Sequence, residues 1–98
     1  MAEAAPAQML APGDRVVMIS GAARGIGRAI ARRLTDEGYR LSLGVRDVRR
    51  FDAAGFAADR ILVNRFDALE PASAAAWVAA TAERFGRIDA LINNAGVL

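Results

Sequence analysis

The sequence predicts an α/β fold, the first half of a doubly wound parallel sheet in the order β-α-β-α-β-α-β. An apolar run from Arg15 to Ser20 passes through a glycine-rich turn into an amphipathic helical pattern. Strand-like and helix-like segments then alternate at about 20 to 25 residues per unit, the rhythm of right-handed crossovers between parallel neighbours. The first strand is continuously apolar rather than alternating, which suits a sheet covered on both faces.

The elements follow in order. Residues 1–14 are rich in Ala and Pro, lack either periodicity and close on the turn signal Ala11-Pro12-Gly13-Asp14, so they predict a disordered leader. The first strand is Arg15 to Ser20. A helix from Gly25 to Glu37 places Ile26, Ile30 and Leu34 at i, i+4 and i+8 on its buried face and stops at Gly38. Tyr39 to Val45 is the second strand. A short helix is expected at Arg49 to Ala54, ended by Gly55, before a third strand from Ile61 to Phe66 that Asp67 closes. Pro71 opens an Ala-rich helix that runs to Phe85, with Gly86 past its end. The fourth strand is Ala90 to Asn93. Trp77, the single Trp, sits in the Ala-rich helix and reads as packing or a subunit contact.

Composition excludes much chemistry. A chain of 98 residues that is 54% hydrophobic forms one domain at most. The absence of Cys and His leaves no disulfide, thiolate or imidazole chemistry and no expected metal site. All 13 basic residues are Arg, so neither a Schiff base nor a Tyr-Lys proton relay can form within these residues. A net charge of +2 is too small to argue for nucleic acid, and Arg24, Arg28 and Arg32 at four-residue spacing read as a solvated helix face. No run of membrane-spanning length and no secretory pattern is present, which leaves the cytoplasm as the expected compartment and no membrane partner.

The segment Ser20-Gly-Ala-Ala-Arg-Gly-Ile-Gly27 carries the chemistry. Gly21, Gly25 and Gly27 let the backbone turn sharply and remove Cβ atoms that would hold a phosphate off the main-chain N–H groups. The helix behind them directs its positive end, roughly half an elementary charge, at the same place. This is a mould for a dinucleotide phosphate. The spacing differs from Gly-x-Gly-x-x-Gly, since Ile30 occupies the position of the third Gly.

With Asp67 after the third strand and Asn93-Asn-Ala-Gly96 after the fourth, the chain from Arg15 to Leu98 resembles the short-chain dehydrogenase/reductase family, whose fold is Rossmann-like. One departure is mild: the family often has Thr where this chain has Ser20, and either hydroxyl can tie the turn to neighbouring backbone. The resemblance implies a nicotinamide cofactor held at Ser20, Gly21, Ala23, Arg24, Gly25, Ile26 and Gly27, largely through main-chain groups. It implies that Asp67 accepts a hydrogen bond from the adenine amino group with Ala68 beside it, whereas a turn or helix-cap role before Pro71 is the simpler reading of that residue. It further implies that Asn93, Ala95 and Gly96 lie along the cofactor ribose, while Asn93 and Asn94 also brace adjacent strands.

Cofactor choice turns on the end of the second strand, where an acidic residue about 20 positions past the glycine turn would bind the ribose 2′-OH of NAD. That position falls on Val45, followed by Arg46. With Arg24 able to approach the same ribose, NADP is expected and NAD is the alternative, since a one-residue shift would bring Asp47 to the ribose.

In the resembled family a Ser, a Tyr and a Lys downstream of Asn-Asn-Ala-Gly perform the proton chemistry. This sequence has no Lys, and Tyr39, its single Tyr, is followed four residues later by Leu43, so no catalytic residue is assigned. Residues 15–98 are expected to be the cofactor-binding part of a longer oxidoreductase acting on a carbonyl or alcohol, with Leu91 and Ile92 on a bare strand edge until further chain covers it. A homo-oligomer is expected from the resemblance. The alternative is a non-catalytic dinucleotide-binding or interaction module.

Overall fold

In the computed structural model, residues 11–95 are described. The β-branched run of Arg15 to Ser20 forms β1, Val16–Ser20, every residue of which is buried. It is followed by α1, Gly25–Asp36; β2, Arg40–Val45; β3, Ile61–Arg65; α2, Pro71–Phe85; and β4, Ala90–Ile92. The strand order is β3-β2-β1-β4, parallel throughout. The chain thus builds outward from β1 to β3, then crosses through α2 and returns to the other side of β1. The order reverses between β1 and β4, and in open parallel sheets ligands settle at the carboxyl ends of the strands flanking that point.

Alternation along the strands sorts side chains between two helical layers. Val17 pairs with Leu41, Ile19 with Leu43, and these with Ile61 and Val63 of β3. Together with Ala22, Ala31 and Val45 these residues form the core, against which Ile30 and Leu34 of α1 pack. The opposite face carries Ser42 and Gly44, and α2 covers it with Trp77. The indole Nε1 donates to Ser42 Oγ at 2.8 Å, Ser42 and Thr81 share a 2.7 Å hydroxyl contact, and Thr81 Oγ1 donates to the Trp77 carbonyl at 2.8 Å. Each polar atom of this buried group has a partner, which is what makes its burial tolerable. Trp77 also stacks obliquely on Phe66, with ring centroids 5.0 Å apart. Packing is therefore the role of Trp77, as expected from the sequence.

Four expectations change. The Ile26–Ile30–Leu34 stripe is not the buried face of α1: Gly27 and Ala31 are buried, Ile30 and Leu34 are half-buried, and Ile26 is 72% exposed. Small residues win the sheet-facing positions because they let the helix approach closely. The larger three, with Ala29, Arg33 and Ile92, line an apolar groove of about 330 Å³ beside β4. The α-helix expected at Arg49 to Ala54 is also absent. A single 3-10 turn, Val48–Arg50, stands there: Asp47 Oδ1 caps its start at the Arg49 N–H, Phe51 is already extended, and Asp52 Oδ1 takes the Ala54 N–H that a continuing helix would need. β4 ends one residue early, at Ile92, and the Asn94 and Ala95 amides bond to the Ser20 hydroxyl instead of continuing the main-chain ladder with β1. Finally, Pro12–Asp14 is an ordered 3-10 turn, held in part by Arg60 Nη2 on the Gly13 carbonyl at 3.5 Å, so the turn signalled there forms and the leader's expected bound at residue 14 lies too far along the chain. Residues 1–10, the rest of that segment, lie outside the described residues. No helix among the described residues is long and apolar enough to cross a membrane.

Candidate functional site

The glycine turn begins where β1 ends. Gly21 and Ala22 donate their N–H groups to the Gly44 carbonyl of β2 at 3.0 and 3.3 Å, which turns the chain back over the sheet's carboxyl edge. Gly21 and Gly25 take φ of +66° and +62°, a region costly for any residue with a Cβ. At Gly25 a Cβ would meet nothing within 4 Å, so the surface there is open. At Gly27 a Cβ would collide with the Gly21 carbonyl and stand 2.6 Å from Asn94 Nδ2. One glycine thus serves an open surface and the other a closed contact.

Arg24, in extended conformation, is the N-cap of α1 and provides no side-chain hydrogen bond to the helix. The first-turn N–H groups of an α-helix have no intrahelical acceptor, so this end of α1 is an uncapped positive pole facing outward. Ala23, Arg24, Gly25 and Ile26 are all exposed around it. The 72% exposure of Ile26, a poor position for a core residue, suits one that borders a ligand.

Ser20 anchors the turn from below. Its hydroxyl, 1% exposed with the rest of the residue, donates to Asn93 Oδ1 at 2.9 Å and accepts the N–H groups of Asn94 and Ala95 at 2.8 and 2.9 Å. Asn94 Nδ2 donates to the Gly21 carbonyl at 3.2 Å. The sequence motifs after β1 and after β4 therefore form one locked unit. The expectation that the Ser20 hydroxyl ties the turn to neighbouring backbone, and that both Asn residues brace the strands, matches this geometry. Gly96 lies outside the described residues.

A second group stands at the ends of β2 and β3. Val45, at the position where an acidic residue would sit, is 2% exposed. Arg46 projects outward with its side chain 80% exposed and its Nε 3.8 Å from Asp67 Oδ2. Arg65 Nη2 lies 4.0 Å from the same oxygen and 2.6 Å from Glu70 Oε2. Asp67 Oδ1 accepts the Leu69 N–H at 2.9 Å, while the Asp67 main chain is held at both N–H and carbonyl by Ser73 Oγ. Its carboxyl is kept below the ordinary carboxylate range, first by the Leu69 N–H and then, against the cost of burial, by Arg46 and Arg65. Both of the roles weighed for Asp67 are compatible here: Oδ1 closes the turn, while Oδ2 faces cations and solvent. Ala68 beside it is exposed. Asp47 is turned into its own loop, with Oδ1 accepting the Arg49 N–H at 3.0 Å.

The two groups share the carboxyl edge of the sheet through the register that sets Ser20 opposite Gly44 and Val45 opposite Arg65. Three contributors escaped the sequence reading. Gly44 supplies the carbonyl that turns the glycine loop, Arg65 neutralises part of Asp67, and Ser73 fixes the Asp67 backbone. The Gly44 carbonyl and the Ser73 hydroxyl act across elements, and no sequence spacing signals either. Arg65, two residues before Asp67, was legible as a nearby cation.

A family profile described as short chain dehydrogenase matches residues 15–98. Among characterised proteins, the chain is similar to an agropine synthesis reductase of Rhizobium rhizogenes, 52% identical over 82 residues that cover 83% of this chain and 19% of the relative. It is also similar to a levodione reductase of Leifsonia aquatica, 42% identical over 90 residues covering 86% of this chain and 34% of the relative. The chain therefore spans between 19% and 34% of the length of these relatives. A crystal structure of a glucose/ribitol-type short-chain dehydrogenase/reductase from Brucella melitensis superposes with a TM-score of 0.82 at 35% identity, covering 90% of this chain and 38% of that one. Two further structures were described with cofactor. One is a 3-ketoacyl-(acyl-carrier-protein) reductase from Brucella melitensis with NADH, TM-score 0.75 and 31% identity over 85% of this chain and 35% of that one. The other is the N-domain of a bacterial malonyl-CoA reductase with NADP, TM-score 0.77 and 30% identity over 88% of this chain and 18% of that one. The family profile thus spans the glycine turn, the Ser20–Asn93–Asn94 lock and all four strands of the 3-2-1-4 sheet, and the chain belongs to the short-chain dehydrogenase family.

Proposed function

We propose that these residues form the dinucleotide-binding part of an NAD(P)-dependent oxidoreductase, working between NADP(H) and a carbonyl or alcohol, with NAD the alternative cofactor. The observation that carries this reading is the uncapped N-terminus of α1, opened to solvent at Gly25 beside the end of β1, where the Ser20 hydroxyl ties down the segment after β4. An anionic pyrophosphate fits that arrangement, because main-chain donors and helix dipole converge where no Cβ intrudes.

The bound dinucleotide would supply the hydride chemistry, and the protein supplies grip and orientation. Gly21, Ala23, Gly25, Ile26 and Gly27 would hold the phosphates and adjoining ribose through main-chain groups. Asp67 Oδ2 would accept the adenine amino group, with Ala68 beside the ring. Asn93, Ala95 and Gly96 would line the second ribose, with Ser20 fixing the Asn94 and Ala95 amides.

The preference for NADP(H) rests on Arg46 and Arg24. A 2′-phosphate placed at the end of β2 would meet the exposed Arg46 guanidinium and no carboxylate at Val45, while Asp47 is already engaged by Arg49. Structures similar to this chain were described with either cofactor, so the selectivity depends on this chain's own residues. Titration of NADPH and NADH into the intact protein at fixed salt tests the reading. Wild type should bind NADPH at least about 10-fold more tightly, the worth of one charge-assisted contact, and Arg46→Asp should weaken NADPH binding far more than NADH binding. Equal or tighter binding of NADH by the wild type overturns the preference, and failure to bind either overturns the whole reading. A cytoplasmic, homo-oligomeric enzyme is the setting we infer for it.

A further inference from the structure

The connection between β2 and β3 carries Arg46 at its start, yet it contains no regular helix. It is instead fastened to α1 by one arginine. Arg28 lies in the first turn of α1, four residues after Arg24. Its Nη2 donates to the Asp52 carbonyl at 2.8 Å and stands 3.9 Å from Asp52 Oδ2. Its guanidinium carbon lies 5.3 Å from the ring centroid of Phe51 and 5.5 Å from that of Phe56, and the two rings are themselves 5.9 Å apart. The side chain is only 22% exposed, and Nη1 is fully buried with no hydrogen-bond acceptor. A buried guanidinium nitrogen without an acceptor is costly, and the faces of two aromatic rings are what compensate it here. Arg32, one turn further along, lies 5.7 Å from the Phe56 centroid, and Gly55 takes φ of +88° so that the loop can double back beside it. The solvated-face reading of these arginines holds for Arg24 and Arg32, both exposed, and fails for Arg28, which is turned into the loop.

We infer that Arg28 is a positioning residue for cofactor choice: by clasping Phe51, Asp52 and Phe56 to α1, it sets where Arg46 stands relative to Arg24. This deepens the NADP(H) reading and rests on it. The two cations invoked for a 2′-phosphate sit on two different elements, Arg24 at the head of α1 and Arg46 at the head of the loop. Between Arg46 and the clasp lies the single turn capped by Asp47, whose bonds from Arg50 N–H to the Asp47 carbonyl and from Phe51 N–H to the Val48 carbonyl make it a short rigid lever. The Arg28 side chain bonds to Asp52 and lies against Phe51 and Phe56, none of them assigned to the cofactor, so its effect passes through the loop.

The test compares wild type, Arg28→Met and Arg28→Lys in the intact protein. The Met variant keeps the apolar stem between the rings and removes the charge and the bond to Asp52, while the Lys variant keeps the charge over the rings. Arg28→Met should weaken NADPH binding about 10-fold while changing NADH binding less than about 2-fold, and Arg28→Lys should recover part of the loss. In an Arg46→Ala background the Arg28→Met change should leave the NADPH to NADH ratio unmoved, because the lever then has nothing to position. Hydrogen exchange supplies a readout independent of cofactor: the Arg50 and Phe51 amides should lose protection in Arg28→Met while the β1 and β2 amides keep theirs. A wild type without NADPH preference is a failure of the functional reading, identifiable before any Arg28 variant is made. A wild type that prefers NADPH, with the ratio unchanged in Arg28→Met or equal losses for both cofactors, overturns the positioning role. Unaltered exchange at Arg50 and Phe51 overturns the clasp itself.

Discussion

The two flanks of β1 are held by different physics. Toward β2 and β3, the sheet is covered on both faces, with Leu41, Leu43 and Val45 under α1 and Ser42 under Trp77 of α2. Toward β4, only three strand residues pair with β1, Leu91 is 59% exposed, and Ile92 is half-buried. That flank is secured instead by polar clamps at its two ends. At one end, Asp89 accepts the Val16 N–H at 2.8 Å and donates its own N–H to the Val16 carbonyl at 2.9 Å, with Arg87 forking onto its carboxylate at 2.6 and 2.9 Å. At the other, Ser20 gathers Asn93, Asn94 and Ala95. Burial is insensitive to pH and tolerant of direction, whereas hydrogen-bonded clamps are directional, and the one built on Asp89 also titrates. Placing the second kind at the ligand-facing flank gives the site its geometry without requiring a large core beneath it.

The sharpest way to separate the flanks is to truncate the apolar one. Trp77→Ala removes a side chain that is 3% exposed and leaves Ser42 without its indole donor, so denaturant unfolding should show a loss of about 3–5 kcal/mol across the whole fold. Ser20→Ala on the polar flank leaves the Asn94 and Ala95 amides without an acceptor. It should cost about 2 kcal/mol, with hydrogen exchange accelerated at those two amides and little changed in β2. If Ser20→Ala instead unfolds the protein as widely as Trp77→Ala, the two flanks are one cooperative unit and the contrast is lost.

Acid should act on the polar flank. The Asp89 carboxyl is held below its ordinary range, first by the bond from Arg87 and, after the opposing cost of burial, by the Val16 N–H. A depressed folded-state value means that its contribution is fully present above the unfolded value of about 4 and disappears as pH falls through the lower folded value. Thermal melts of wild type between about pH 7 and pH 3 should therefore decline more steeply at the acid end than those of Asp89→Asn, which already lacks that carboxylate; parallel curves would remove Asp89 as the clamp. The smallest effect is expected at the exposed face of β4. Leu91→Thr in the 98-residue chain should shift stability by no more than about 0.5 kcal/mol and reduce self-association in size-exclusion chromatography. A large loss there would mean that Leu91 is covered in solution.

Much of this molecule was legible in one dimension. Parallel strands buried on both faces favour continuous apolar runs, so Val16 to Ile19 announces itself, and Leu41, Leu43 and Val45 mark the second strand by alternating with the small Ser42 and Gly44. Pro71 and Gly86 bracket α2 where helix chemistry says they should, and the observed span Pro71–Phe85 matches the expected one. The glycine turn is equally local, because its φ values belong to the residues that adopt them. The β2–β3 connection was not legible. Its apparent helix at Arg49 to Ala54 stops after one turn, because Asp52 captures the Ala54 amide and Phe51 and Phe56 turn toward an arginine more than 20 residues earlier in the chain. Ile26 likewise misled, since its helical spacing with Ile30 and Leu34 is satisfied by a groove as well as by a core.

The sequence by itself determined the order and identity of the strands and helices, the mould for a phosphate and the chemistry that these residues lack, because each depends on local backbone preference or on which side chains exist. Only the tertiary structure decided that Ser20 serves as the knot between β1 and the segment after β4, that Asp67 lies between two guanidinium groups, and that Arg28 faces aromatic rings rather than water. These are contacts between residues far apart in the chain or on different elements, and their energies depend on distance and burial, which spacing along a sequence does not encode.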